Sequence, residues 1–310
     1  MDFSDLAMRR LGRTEMQVSP IGLGGAHLGR TGDTFDERQA VATVHRALEL
    51  GVNLLDTSPM YGPSQGFIGV ALREWFAAGG SREDLVISTK TGFVEHGVMD
   101  YSGEWTRRSV EESLSLLGCD YIDVLLVHDP RDLDLVFAPG AALDTLEECR
   151  EAGLIRAIGL GVRNQPFHRR CIESGRFDIS LTHCDYNLID FSAGEGVLAP
   201  ATEQDVGVLN GAAVMLGLLG GDDPRRVQMP WPGFATEERV QRAGLLWDWA
   251  RARSVNLLAL NLQFCLRESR IASTLVGACD PAQIEADLAA VTASLPDDIW
   301  LELDALLATL

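Results

Sequence analysis

The feature that most constrains this chain is an alternation. A short apolar run, a loop and an amphipathic segment follow one another along most of its 310 residues. "SPIGLGG" (19–25) reads as a first strand ending in glycines. "DERQAVATVHRALELG" (36–51) has apolar residues at helical spacing and stops at Gly51. "VNLLD" (52–56), "LVISTK" (85–90), "IDVLLVHD" (122–129), "IRAIGLG" (155–161), "DISLTHCDYN" (178–187), "VGVLNG" (206–211) and "STLVG" (273–277) supply the other strands. Helical segments fall at 66–76, 106–118, 142–153 and 166–175.

Several strands are Val-, Ile- or Leu-rich without alternation, as strands buried on both faces must be. Eight βα units of this length predict a parallel sheet closed into a (β/α)8 TIM barrel, one α/β domain spanning residues 1–310. An open doubly wound sheet competes. It requires a GxGxxG turn entering a helix after the first strand, and "GLGGAHLG" fits that poorly. The stretch 212–235, rich in Gly and Pro, is one long loop leaving the C-terminal end of strand seven, placed to cover a site.

With 46% hydrophobic residues, one large core is available. A formal net charge of −19 argues against nucleic-acid and anionic-membrane partners, which need a cationic face. None of the six cysteines forms a CxxC pair or stands at zinc-ligand spacing, so they read as reduced, mostly buried thiols and no metal is expected. No apolar run suits a signal peptide or a membrane span, and a cytoplasmic protein is expected. An oligomer is neither indicated nor excluded.

Barrel chemistry resides at the C-terminal ends of the strands. Here Asp56 ends the second strand, Lys90 the third and His128 the fourth, with Tyr61 in "DTSPMYG" just past Asp56. Singly, each has a plain explanation: a turn acid, a solvated strand end, a core histidine, a packing aromatic. Jointly they form a proton-transfer device. A phenol titrates near 10, and an ammonium beside it favours the phenolate. A buried carboxylate keeps the lysine charged, and an imidazole orients the substrate oxygen. Asp56, Lys90, Tyr61 and His128 fill these roles of anchor, tuner, general acid/base and orienter.

In "NLLDTSPMYG", "ISTK", "YIDVLLVHDP", "GLIRAIGLG" and "STLVGACDPAQIEADL" the chain resembles the aldo-keto reductase superfamily over nearly its whole length. The resemblance implies the barrel, a hairpin near residues 9–18 closing its bottom, and a C-terminal helix. It also implies a nicotinamide cofactor extended across the mouth and a catalytic tetrad at Asp56, Tyr61, Lys90 and His128. Cofactor contacts carry over to Gly25, Ala26, Asp56, Asn164, His183, Asn210, Gly211, Gly277, Gln283 and Asp287. Asn164 and His183 read equally well as ordinary loop and strand residues. Substrate contacts fall to His27, Tyr61, His128 and Trp231, with Trp105 a second aromatic that reads as packing. Gly161 and Val162 stand where Ser-Asn is usual, and Asn210 or Gly211 where a stacking aromatic is common. The segment after strand eight has Gly277, Gln283 and Asp287 near positions that are basic in NADPH-dependent relatives. An acidic, arginine-free pocket repels a 2′-phosphate, so NAD is expected to be preferred over NADP.

"HDP" (128–130) and "GLGVRNQ" are similar to the sugar 1-dehydrogenase branch, which includes D-threo-aldose, L-fucose and L-galactose dehydrogenases, with pyridoxal 4-dehydrogenase nearby. The implied reaction is oxidation of an aldose at C1 to its lactone. A reductase of aldehydes or ketones is the alternative, and a non-catalytic cofactor-sensing subunit a more distant one.

Overall fold

The computed structural model describes residues 7–227 and 236–309. Eight parallel strands close into one barrel. They are β1 (Ile21–Gly24), β2 (Leu54–Asp56), β3 (Val86–Thr91), β4 (Ile122–His128), β5 (Ile155–Gly161), β6 (Ile179–His183), β7 (Gly207–Gly211) and β8 (Ser273–Gly277). The ladder runs in chain order and β8 pairs with β1, Gly277 standing opposite Gly24.

Between them lie α1 (Glu37–Glu49), α2 (Ser64–Ala77), α3 (Gly103–Leu117), α4 (Ala142–Glu151), α5 (Gln165–Glu173), the short α6 (Ala199–Glu203), α7 (Glu237–Ala252) and α8 (Leu257–Arg267). Beyond β8 come α9 (Pro281–Val291) and the C-terminal α10 (Ile299–Leu307). Side-chain caps start several of these helices. Asp36 accepts from Gln39 N at 3.1 Å, and Asp280 from Gln283 N at 2.9 Å; such caps contribute about 1 kcal/mol each.

Two apolar layers follow from the period-2 geometry of strands. Leu55, Ile87, Leu125, Val127, Ile158 and Leu160 point outward into the layer shared with the helices. Leu54, Val86, Val124, Leu126, Ala157, Ile179, Leu181, Leu209 and Leu275 point inward and fill the barrel. A hairpin, Arg9–Arg10 against Gln17–Val18, completes that interior by inserting Leu11, Met16 and Val18. It seats closely: a Cβ on Gly12, at φ +52°, would lie 2.2 Å from the Gly207 backbone nitrogen. The bottom of the barrel is thereby plugged.

Two small hairpins, Arg30–Thr31 with Thr34–Phe35 and Phe93–Glu95 with Val98–Met99, follow β1 and β3. The loop expected from 212 is built through residue 227 around one-turn 3-10 helices at Met215–Gly217 and Pro224–Arg226; its remainder lies outside the described residues. Among the described residues, no helix is long and apolar enough to cross a membrane.

Candidate active site

The inward positions at the C-terminal end of each strand define the barrel mouth. Reading up the interior parity, they are Gly24, Asp56, Lys90, His128, Gly161, His183, Gly211 and Gly277, and all eight line one cleft. Four are ionisable and four have no side chain. Asp56, Lys90 and His128 lie on adjacent strands, because β2 pairs with β3 and β3 with β4.

Lys90 is 1% exposed. Its Nζ donates to Asp56 Oδ1 at 2.8 Å, Asp56 Oδ2 at 2.7 Å and the Thr57 carbonyl at 2.8 Å. The ammonium is thus anchored on the Asp56 carboxylate and the Thr57 carbonyl while it stays within reach of Tyr61. Ser88, two residues below Lys90 on the same face, donates to Asp56 Oδ1 at 2.8 Å. Burial alone would favour the neutral amine, but the Asp56 carboxylate and the neighbouring Tyr61 outweigh it and hold Lys90 as an ammonium.

Tyr61 reaches this pair through a compact loop. Tyr61 N donates to the Ser58 carbonyl at 3.0 Å, and Ser64 N to the Tyr61 carbonyl at 3.3 Å. Gly62 sits between them at φ +57°, a conformation open to glycine. The next turn is pinned by Gln65, whose amide donates to Thr89 Oγ1 at 2.9 Å and Ser113 Oγ at 2.8 Å. The ring therefore turns back over the mouth, with Lys90 Nζ 5.0 Å from its centroid. Burial raises the phenol above its ordinary range, the Lys90 charge pulls it down, and burial prevails. The expected lowering by the ammonium is present but is smaller than the desolvation of the phenolate. At neutral pH the resting group is a phenol, ready to act as an acid.

His128 faces Tyr61 edge-on, with ring centroids 5.9 Å apart at 89°. Its Nδ1 lies 3.1 Å from Ser58 Oγ, which also accepts from Met60 N at 3.1 Å. That second bond leaves the serine proton for Nδ1, and we assign the tautomer with Nε2–H directed at the cleft. Burial and then the Lys90 charge push His128 down to about 3, so the imidazole is neutral at physiological pH. Tyr101 Oη donates to the His128 carbonyl at 2.7 Å and fixes the strand end. Ser58 is not among the site residues read from the sequence; its place between Asp56 and Tyr61 in "DTSPMYG" is the available signal.

The opposite arc is built differently. Neither a positive φ nor packing explains three of its glycines. A Cβ on Gly24, Gly161 or Gly277 would meet no protein atom closer than 3.4 Å, 3.5 Å and 3.7 Å respectively. Deeper in the barrel, a Cβ on Gly159 would come within 2.4 Å of Leu126 and one on Gly22 within 2.7 Å of Leu275. The deep glycines serve packing, whereas the mouth glycines keep room for something else. The cleft measures about 1490 Å³, beyond the roughly 300–1,000 Å³ of a pocket for one drug-sized ligand. An extended nicotinamide cofactor with a substrate fits such a trough.

Of the other expected contacts, Ala26, His27, His183, Gly211, Gln283 and Asp287 also line the cleft. Gly25 does not; a Cβ there would lie 2.4 Å from Ser64 Oγ, a packing constraint. Asn210 is corrected outright. It has the outward parity, is fully buried, and donates to the Tyr186 carbonyl at 3.0 Å. Asn164 is likewise not part of the cleft wall: it caps α5, accepting from Phe167 N at 3.2 Å. Trp105 lies on α3 with Arg108 over its ring, away from the cleft. Trp231 lies outside the described residues.

His183 stands 3.7 Å, through Nε2, from Asp129 Oδ1. Burial opposes its charge, but Asp129 and then Cys184 raise it to about 9, so it is an imidazolium. Asp287 on α9 is pushed up to about 7 by burial. The segment 277–288 carries no arginine, as read from the sequence, but the cleft as a whole does. Arg226 and Arg251 enter it from the β7–β8 connection, which correction follows from tertiary structure that the local segment does not reveal. Among the described residues no three His, Cys, Asp or Glu side chains converge as metal ligands.

The profile of the aldo/keto reductase family matches residues 20–308. L-galactose dehydrogenase of Arabidopsis thaliana is 31% identical over 295 residues, spanning 93% of this chain and 88% of that protein. D-threo-aldose 1-dehydrogenase of a Pseudomonas species is 27% identical, covering 93% of this chain and 94% of its own. Among solved structures, an aldo-keto reductase from Bacillus halodurans in its holo form matches with a TM-score of 0.80 at 26% identity, over 97% of this chain and 96% of that one.

Proposed function

The chain belongs to the aldo/keto reductase family and is an NAD(P)-dependent oxidoreductase, and we propose that it oxidises an aldose at C1 to the lactone with NAD as the preferred acceptor. The observation that carries the chemistry is the buried Lys90–Asp56 pair set under Tyr61 and beside a neutral His128. The substrate class is supported by the similarity to L-galactose and D-threo-aldose dehydrogenases.

When bound, the nicotinamide supplies the hydride acceptor. The chain's own residues do the rest. The glycine arc accommodates the cofactor, and His128 Nε2–H donates to the C1 oxygen and fixes its direction. The Tyr61 oxygen, as phenolate, takes the hydroxyl proton as the C1–H bond is lost. Lys90 steadies that phenolate, and Asp56 keeps Lys90 charged. In reverse, Tyr61 returns the proton to the carbonyl oxygen. For the cofactor, the arginine-free 277–288 segment and the Asp287 carboxyl favour a 2′-hydroxyl over a 2′-phosphate. Of the two cleft arginines, Arg226 stands 4.0 Å from Asp223 and Arg251 lies over the Trp247 ring.

The test is a screen for NAD and NADP reduction over neutral aldoses, with simple aldehydes assayed in reverse. We expect an aldose to be oxidised with higher kcat/KM for NAD. Tyr61→Phe should lower turnover by roughly 10²- to 10⁴-fold, the usual worth of a positioned acid/base. Rapid aldehyde reduction with no aldose oxidised would sink the sugar reading, and unchanged turnover in the Phe variant would sink the tetrad reading.

A further inference from the structure

Asp129 occupies a place that strand geometry does not give it. It follows the inward His128, so alternation would send its side chain out toward the helices. Its backbone has φ +41°, the left-handed region, and its side chain lines the cleft. The ladder is not lost, because Asp129 N still donates to the Gly161 carbonyl at 2.8 Å. Strain of this kind persists where the surroundings over-determine it. Cys184 and Ala212 make the same left-handed exit from β6 and β7, at φ +61° and +51°. Neither offers a strong acceptor. Asp129 turns a carboxylate over the mouth.

That carboxylate bridges the two imidazoles without closing on either. Oδ2 lies 3.8 Å from His128 Nε2, and Oδ1 lies 3.7 Å from His183 Nε2. Both distances exceed a direct hydrogen bond and leave acceptor positions for a third group. The side chain is 45% exposed to the cleft and remains ionised beside the His183 imidazolium. His128 Nε2 is the group that holds the reacting oxygen, so the oxygen of the neighbouring carbon arrives next to Asp129. An acceptor-only group there rewards a hydroxyl and leaves a methyl unmatched.

We propose that Asp129 is a specificity-determining residue. It accepts hydrogen bonds from hydroxyls flanking the reacting carbon, with His183 as its positioning partner, and so selects polyhydroxylated substrates over plain carbonyls. This deepens the sugar reading and rests on it for the natural substrate. The test does not need an aldose. Glyceraldehyde and propanal differ only in the flanking hydroxyls, and both can be assayed in reduction with whichever nicotinamide cofactor turns over faster.

The wild type should prefer glyceraldehyde. In Asp129→Gly, which tolerates the left-handed backbone, the ratio of the two kcat/KM values should fall roughly 10- to 100-fold, the range of one charge-assisted hydrogen bond. Asp129→Asn should lie toward the lower end, and its unchanged shape guards against misfolding in the first variant. His183→Ala should lower the ratio in the same direction and by less. A ratio unchanged in both Asp129 variants overturns the proposal. So does a constant ratio with a raised KM for the cofactor, which would assign the pair to the cofactor. A collapsed ratio in a protein that oxidises no aldose would uphold Asp129 and reject the sugar reading.

Discussion

Asp56→Asn is the sharpest perturbation of this site, because the change is nearly isosteric and removes one charge. Lys90 would keep the Thr57 carbonyl at 2.8 Å and gain at most one amide oxygen in place of two carboxylate oxygens. The amide NH₂ would face either the ammonium or the Ser88 hydroxyl, which now donates to Asp56. Both carboxylate and ammonium are almost wholly buried. Breaking a buried pair on one side costs about 3–5 kcal/mol, or roughly 5–8 °C in melting temperature for a chain of this size.

The pH dependence has a definite sign. In the wild type Lys90 is held above its unfolded value, so its contribution is complete at neutral pH and fades only when pH rises through the folded pKa. In the variant, the carboxylate that outweighs burial is gone, and the folded pKa is expected to drop below the unfolded one. The unfolded chain then binds more protons, and the variant gains stability as pH rises. The gap in melting temperature between the two proteins, followed by calorimetry from pH 6 to 10, should therefore narrow toward alkaline pH. Turnover at pH 7 should fall together with stability, because the neutral amine no longer favours the phenolate. A variant that melts within about 2 °C of wild type with full turnover would refute the claim that this pair is what keeps the ammonium charged.

Two further outcomes follow from the resting state of the mouth. Because burial leaves Tyr61 a phenol at neutral pH, kcat/KM for oxidation should climb into the alkaline range while that for reduction falls; parallel profiles would show that another group titrates. Gly161→Ala should fold normally, since its methyl would meet nothing closer than Leu126 at 3.5 Å, yet bind NAD more weakly by fluorescence titration. Unchanged binding would mean that the glycine arc is not where the cofactor lies.

The barrel was legible because its strands are buried on both faces and carry nearly uninterrupted apolar runs, as in "DVLLV" before His128. The tetrad was legible because a charged residue at the top of such a run has no packing reason to be there. Asn210 was misread through parity. Leu209 points in, so Gly211 points in and Asn210 cannot. Asp129 escaped for the opposite reason: alternation puts it outside, and only a left-handed residue, which no residue type announces, brings it back. Arg226 and Arg251 were out of reach, since they enter the cleft from a connection far from the segment they share it with. The helices of that connection, α7 and α8, were not assigned from periodicity. Trp247, Trp249 and their neighbouring arginines interrupt any clean apolar stripe on α7.

The vacant arc at Gly24, Gly161, Gly211 and Gly277 has a consequence for descent. A glycine codon reaches several larger residues in one base change, and three of these positions have room for at least a methyl group. Each such change would reshape what the trough admits without touching Asp56, Lys90, Tyr61 or His128, which occupy strands β2 to β4 and the loop after β2. Cofactor fit and proton chemistry are written on separate sectors of the same ring. A lineage built on this barrel can change how it seats its cofactor by single steps while its proton chemistry stays fixed.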